Sequence, residues 1–176
     1  MLSASAIAYG AATIVNAIAT GKGAALGVDL WTKAKVELTD EPGVIEGRIL
    51  SDLGEDTNLI QRVIKRVLRR FRMDGEHGAF VETTSNIPIA RGMKSSSSAA
   101  NAISLAAVAA LRKRVSDLEV VKLGVEAAKD AGVTVTGAFD DACASYFGNI
   151  FVTDNVARKV KRRFRVDGDY AVLFYV

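Results

Sequence analysis

Hydrophobic and polar positions alternate along the first third of the chain and then take up helical spacing. Residues 31–38 (WTKAKVEL) alternate strictly, which predicts a half-buried strand. The turn DEPG and the segment VIEGRIL, residues 44–50, predict a partner strand. The uncharged segment 1–21 is rich in alanine and interrupted by Ser, Thr, Gly and Asn, so we expect a buried strand there and not a leader or membrane span.

The helical spacing begins in TNLIQRVIKRVLRRF, residues 57–71, where apolar side chains recur every three or four positions opposite five basic ones. A strand is predicted over 79–85, followed by a helix from the serine run to about Leu111. Ser116 and Glu119 have capping-box spacing, which predicts a further helix ending near Gly132. Residues 132–155 are expected to form a glycine-bounded loop and then a strand. Strands are also predicted in KVKRRFRV and in the apolar AVLFYV, residues 171–176.

This order of elements predicts an α+β fold with helices packed on one face of a mixed sheet. We expect one domain over 1–155. Residues 156–176 would then be the first strands of a second α+β domain, and because AVLFYV resembles a buried strand, the chain is expected to be the N-terminal part of a longer protein.

The composition favours one cellular compartment but does not identify the class of ligand. The 176 residues are 49% hydrophobic and include a single cysteine, Cys143, which excludes an intramolecular disulfide and favours the reducing cytoplasm. The net charge of +3 does not require nucleic acid as a partner and is equally compatible with a small anionic ligand. Neither of the two basic segments, 57–72 and 158–165, carries an interleaved aromatic stacking surface, so we expect solvated faces there.

The segment IPIARGMKSSSSAANA, residues 87–102, is the first candidate binding element. Pro88 and Gly92 shape the approach to four serines at the start of a strong helix former. A first helical turn has unpaired N–H groups and partial positive charge, which makes it a phosphate site, and Lys94 adds a full charge. A flexible serine linker is the alternative, but the alanine-rich continuation argues against it. No P-loop or G-x-G-x-x-G motif is present in the sequence.

A second candidate is TGAFDDACAS, residues 136–145, in which two adjacent carboxylates stand in a small, apolar stretch. Such carboxylates are costly to bury unless they are solvated, paired or functional. One of them could orient or deprotonate a hydroxyl nucleophile. A polar loop with a helix cap, or a metal site without catalysis at Asp140 and Asp141, remains an alternative.

Together the two segments resemble a known family. Pro88-x-x-x-Gly92-Met93-Lys94 followed by Ser95–Ser98 is similar to the ATP-binding motif P-x-x-x-G-L-G-S-S-A-A of the GHMP kinases, with Lys94 in place of the second glycine. Gly137–Asp141 resembles the G-x-x-D segment that carries the family's catalytic aspartate. Asp56–Ile60 is similar to a D/E-N-L-I segment near its nucleotide site. The combination is most similar to the archaeal shikimate kinase branch.

The resemblance implies specific roles. The ATP-binding residues would be Gly92, Met93, Lys94, Ser95, Ser96, Ser97, Ser98 and Asn58. Asp140 would be the catalytic carboxylate, and Ser96 and Glu126 would be ligands of Mg²⁺. The substrate would be a small alcohol, shikimate in the first place and homoserine or a mevalonate-type compound otherwise. A non-catalytic module that binds nucleic acid or protein is the alternative of a different class; the kinase hypothesis expects neither a nucleic-acid nor a membrane partner.

Overall fold

The computed structural model describes residues 2–52, 54–88 and 94–173. Six strands and four helices follow one another in these residues: β1 Ser3–Val15, β2 Lys22–Thr39, β3 Ile45–Ile49, α1 Asn58–Arg70, β4 Gly78–Ser85, α2 Ser95–Ala110, α3 Asp117–Asp130, α4 Phe139–Phe147, β5 Ile150–Asp154 and β6 Lys159–Phe164.

The sheet is organised around the long strand β2. Strand β1 pairs antiparallel with β2 over most of its length. Strand β4 pairs with the second half of β2 and strand β5 with its first five residues, both antiparallel. The order is β3-β4-β2-β5-β6 with β1 beside β2, and β3 runs parallel to β4. The predicted mixed sheet is therefore confirmed.

The helices cover one face of this sheet, as the alternating pattern predicts. Ala34, Val36 and Leu38 of β2 are buried in one cluster with the apolar sides of α1 and α2, while Lys33 and Lys35 point to the exposed face. Helix α1 buries the residues that its spacing assigns to the core: Ile60, Val63, Ile64, Val67 and Leu68. The prediction of an α+β fold with helices on one face is confirmed.

The outer side of α1 is tied to α3 by ion pairs. Arg66 contacts Asp130, and Arg70 Nε lies 2.6 Å from Glu119 Oε1. Helix α3 begins as predicted, because the Ser116 side chain accepts a hydrogen bond from the Glu119 N–H. Part of the positive charge of α1 is thus matched by acidic side chains of its neighbour. None of the helices formed by the described residues combines the length and the apolar character that crossing a membrane requires.

Two sequence predictions are wrong in the second half of the chain. Residues 139–147, expected in a loop and the start of a strand, form helix α4, which begins after a left-handed Ala138 and ends at Gly148. Residues 171–173 form no strand, and Leu173 is 94% exposed, because no strand among the described residues pairs with this segment. Residues 174–176 lie outside the described part.

The predicted domain boundary at residue 155 falls between β5 and β6. These two strands pair with each other, and Ile150 lies opposite Phe164, so β6 continues the same sheet. A second domain that starts at residue 156 stays a prediction.

Candidate functional site

The start of α2 is built from a strained residue and a run of serines. Lys94 precedes the helix with a φ of +59°, a left-handed conformation that glycine adopts most easily. Ser95 and Ser96 are half-buried at the helix start, whereas Ser97 and Ser98 are buried. A lysine in this conformation therefore stands where the resemblance expects a glycine. Gly92 and Met93, both predicted to contact ATP, lie outside the described residues.

Ser98, which the resemblance predicts to bind ATP, lies in the first turn of α2. Its hydroxyl donates to Ala8 O of β1 at 2.9 Å, and its N–H donates to Lys94 O at 3.1 Å. Both polar groups are thus used inside the fold, and the side chain is fully buried. In this structure Ser98 thus anchors α2 to the sheet, and its assignment to nucleotide binding stays a prediction.

A largely apolar cavity of about 170 Å³ lies on one side of this helix start. Among the residues that line it are Ser95, Ser96, Ala99 and Asn58. Asn58 is fixed there because its Nδ2 donates to Ala131 O at 3.3 Å and its Oδ1 accepts from Arg62 Nε at 3.2 Å. The structure thus brings three of the residues predicted to bind ATP to one cavity.

A smaller cavity of about 120 Å³, called the polar cavity below, has charged and polar side chains in its lining. Lys94 from the start of α2, Thr13 from β1, and Asp140 and Asp141 from the first turn of α4 all line it. Both carboxylates are buried, with 2% and 3% of their residue surface exposed. Their position in the first turn of a helix is favourable for negative charge.

The carboxylate of Asp140 contacts Asn155 and Gly23. Its Oδ1 accepts a 2.7 Å hydrogen bond from Asn155 Nδ2, and its N–H donates to Asn155 Oδ1 at 3.2 Å. Thr153 donates to the same amide oxygen and fixes its orientation. The other carboxylate oxygen, Oδ2, lies over Gly23 of β2, where an added Cβ would be only 2.2 Å away. The glycine is needed for this close approach.

Asp141 has a different environment. Its Oδ1 accepts from Thr13 Oγ1 at 3.0 Å, and its Oδ2 lies 3.2 Å from Lys94 Nζ. Burial raises the pKa of Asp141 to about 6, and the nearby charge of Asp140 acts in the same direction. Lys94 and the Thr13 hydrogen bond act in the opposite direction. The cation beside the aspartate pair therefore comes from the start of α2.

Glu126 of α3 forms ion pairs with two basic side chains. Its Oε1 accepts from Arg158 Nε at 3.0 Å, and its Oε2 lies 3.9 Å from Lys129 Nζ. Arg158 also donates to Thr136 O at 2.9 Å, so this pair supports the loop before α4. Glu126 is not among the residues that line either cavity. Its role as a Mg²⁺ ligand stays a prediction, as does that of Ser96.

Four residues of this region were not assigned a catalytic or ATP-binding role from the sequence: Thr13, Gly23, Asn155 and Asp141, of which Asp141 was named only as one of two candidate carboxylates. Three of them acquire their role through contacts between distant parts of the chain, which no local pattern records. Asp141 carried a usable signal, because an acidic residue in the first turn of a helix that ends in glycine is a common arrangement.

Comparison with known proteins agrees with this architecture. Residues 58–149, just over half of the chain, match the family model described as GHMP kinases N terminal domain. The mevalonate kinase of Methanococcus jannaschii has a similar fold, with a TM-score of 0.75 and 18% identity over 93% of this chain and 56% of that structure. The homoserine kinase of Cytophaga hutchinsonii gives a TM-score of 0.71 with 18% identity over 86% of this chain and 48% of that structure.

Sequence relatives are considerably more similar. The shikimate kinase of Methanosarcina mazei is 52% identical over 174 residues, which are 99% of this chain and 58% of that protein. The shikimate kinase of Pyrococcus abyssi is 50% identical over 169 residues, 94% of this chain and 60% of that protein. The chain thus spans about three fifths of the length of these relatives. The family profile, the fold and the relatives agree, and the chain belongs to the GHMP kinase family.

Proposed function

We propose that the protein carrying this chain is an ATP-dependent kinase that transfers the γ-phosphate to a hydroxyl group of shikimate. The observation that carries the proposal is the position of the first turn of α2 between two different cavities. Ser95 and Ser96 line the apolar cavity, and Lys94 reaches the aspartate pair in the polar one. A donor and an acceptor of a phosphoryl group would lie on the two sides of one helix start.

The apolar cavity is suited to the nucleoside part of ATP. It combines apolar walls with a few fixed polar groups, which is the usual composition of a small-molecule site. The adjoining N–H groups of the first turn of α2 and the charge of Lys94 favour phosphate. Phosphoryl transfer needs mainly positioning and charge stabilisation, and these residues supply both.

Mg²⁺ belongs to the same proposal. Ser96 lines the apolar cavity at the start of α2, and its hydroxyl is an oxygen ligand of the type that Mg²⁺ accepts. Glu126 would have to exchange its contacts with Arg158 and Lys129 for the ion. When bound, Mg²⁺ supplies positive charge that offsets the charge of the phosphates.

Shikimate is proposed as the acceptor because the relatives that are about half identical over nearly the whole chain are named shikimate kinases. One carboxylate of the aspartate pair in α4 would orient or deprotonate the hydroxyl of shikimate. The resemblance to the GHMP kinases assigns this role to Asp140. A cytoplasmic location stays a prediction from the single cysteine.

A thermal-shift and turnover experiment on the complete protein tests this proposal. We expect Mg·ATP at about 100 times its dissociation constant to stabilise the fold by about 2.7 kcal/mol, and ATP turnover to require shikimate in a panel with homoserine and mevalonate. Phosphorylation of homoserine alone would contradict the substrate assignment and retain the kinase. Absence of nucleotide stabilisation together with salt-sensitive RNA binding would favour the binding module instead.

A further inference from the structure

A buried amide joins the helix that begins with the serine run to the helix that begins with the aspartates. Asn101 lies in the second turn of α2 and is 1% exposed. Its Nδ2 donates to Ala142 O of α4 at 2.9 Å and to Ser145 Oγ of the same helix at 3.1 Å. We propose that Asn101 is a positioning residue for phosphoryl transfer, which holds the first turn of α4 in a fixed place relative to the start of α2. The proposal rests on the kinase function proposed above.

Both helices are also hydrogen-bonded to adjacent carbonyl groups of β1. Ser98 Oγ of α2 donates to Ala8 O at 2.9 Å, and Ser145 Oγ of α4 donates to Tyr9 O. A hydroxyl group has one proton to donate, so Ser145 gives it to Tyr9 O and accepts from Asn101. The side-chain hydrogen bonds therefore form a closed set, in which α2 contacts β1, β1 contacts α4, and α4 contacts α2.

The amide of Asn101 is not the most stable side chain for this place. Its neighbours Ala100 and Ala102 are buried, and its own Oδ1 has no hydrogen-bond partner in the part of the chain that the structure describes. A buried oxygen without a partner lowers the stability of the fold. The two directed donor contacts to α4, by contrast, favour one position of that helix along α2, which packing between small side chains alone would not specify.

The position of α4 relative to α2 bears directly on phosphoryl transfer. The phosphates of ATP are expected at the start of α2, about two turns before Asn101, and Asp141 directly precedes Ala142 in the chain. A displacement of about 1 Å between reacting groups costs about 100-fold in rate, even when the altered residue is distant from them. Asn101 is not among the residues that line either cavity, so it acts on the reaction through the position of α4.

Asn101→Leu in the complete protein tests the assignment, because leucine has a similar shape and neither donor. Ala142 O keeps the hydrogen bond of its own helix, and Ser145 keeps Tyr9 O, so we expect nearly wild-type stability towards denaturant. The kcat should fall by about 100-fold, whereas the dissociation constant of Mg·ATP should hardly change.

Two further variants of the same interface complete this test. Ser145→Ala removes one of the two contacts of Asn101 and should lower kcat less than Asn101→Leu does. Ser104→Ala is the matched control: Ser104 is fully buried about one turn further along α2, and among the described residues its hydroxyl has no hydrogen-bond partner. This control should keep the wild-type kcat.

The thiol of Cys143 gives a readout that does not depend on activity. It is fully buried in α4, next to Ala142 in the chain. A thiol reagent, followed by mass spectrometry of the peptide that contains Cys143, should react about ten times faster in Asn101→Leu, because α4 then opens locally more often. The rate in Ser104→Ala should equal that of the wild type.

Several outcomes would overturn the role of Asn101 although the kinase stands. They are a wild-type kcat in Asn101→Leu, an equal loss of kcat in Ser104→Ala, and a Cys143 reaction rate in Asn101→Leu that equals the wild-type rate. Absence of any phosphoryl transfer by the wild-type protein would overturn both the kinase function and the positioning role.

Discussion

The two cavities beside the first turn of α2 differ in how the chain builds them. The walls of the apolar cavity come from elements whose hydrophobic pattern is regular, such as β4 and α1. The polar cavity depends on single contacts between distant residues: Thr13 and Asp141 are 128 positions apart, and Gly23 lies under Asp140. Apolar burial therefore contributes much of the stability of the first cavity, whereas the second depends on individual polar contacts.

The largest effect is expected from Gly23→Ala. Its Cβ would lie 2.2 Å from Asp140 Oδ2 and 2.6 Å from Cγ, and Asn155 holds that carboxylate from the other side. The start of α4 must shift, and a displacement of this kind costs about 100-fold in kcat. Overpacking should also lower the free energy of unfolding by about 1–3 kcal/mol.

Steady-state kinetics and denaturant unfolding measure the two effects of Gly23→Ala. Gly75→Ala is the control, because nothing lies within 4 Å of an added Cβ at Gly75. A Gly23→Ala protein with the stability and kcat of this control would show that the polar cavity tolerates displacement of its carboxylates, contrary to the comparison.

The same contrast explains what could be predicted from the sequence. Helix α1 was predicted because its buried residues recur at helical spacing. Helix α4 was missed because residues 139–145 are all buried, so that no alternation between a buried and an exposed face marks this helix in the sequence. Its close packing on β2 is visible only in three dimensions: a Cβ at Gly27 would lie 2.7 Å from Ala144 O. The serine run at the start of α2 could be located from the sequence, but the contact between Lys94 and Asp141 joins residues 47 positions apart.

A smaller effect should follow from filling the apolar cavity. Ala99 lines it one turn into α2, and Ala99→Leu would occupy part of its roughly 170 Å³. We expect about tenfold weaker ATP binding, since a lost or displaced contact of 1.4 kcal/mol corresponds to that factor, with kcat nearly unchanged. Titration of ATP by calorimetry or thermal shift measures the loss.

The matched control for Ala99→Leu is Ala109→Leu near the other end of the same helix, where the side chain is exposed. A kcat that falls while ATP binding persists would contradict the division of the site into a nucleotide side and a chemical side. Equal ATP affinity in both variants would show that the nucleotide does not use this cavity.

The smallest effect concerns Lys94, which lies between the two cavities. Lys94→Gly and Lys94→Ala both remove the cation from Asp141, and they differ only in the Cβ that a left-handed backbone disfavours. Lys94→Gly should therefore be the more stable variant by about 1 kcal/mol.

Without the ammonium group the pKa of Asp141 should rise further, because Lys94 is one of the two contacts that lower it. A carboxyl group whose pKa is raised by folding stabilises the protein when protonated, and this contribution is lost as the pH rises through the folded pKa. Both variants should thus continue to lose stability above pH 6, where the wild-type contribution of Asp141 levels off. Denaturant unfolding at pH 5 and pH 8 measures this: equal stability of the two variants would show that the left-handed turn is not strained, and a wild-type pH dependence in both would show that Lys94 does not support the charge of Asp141.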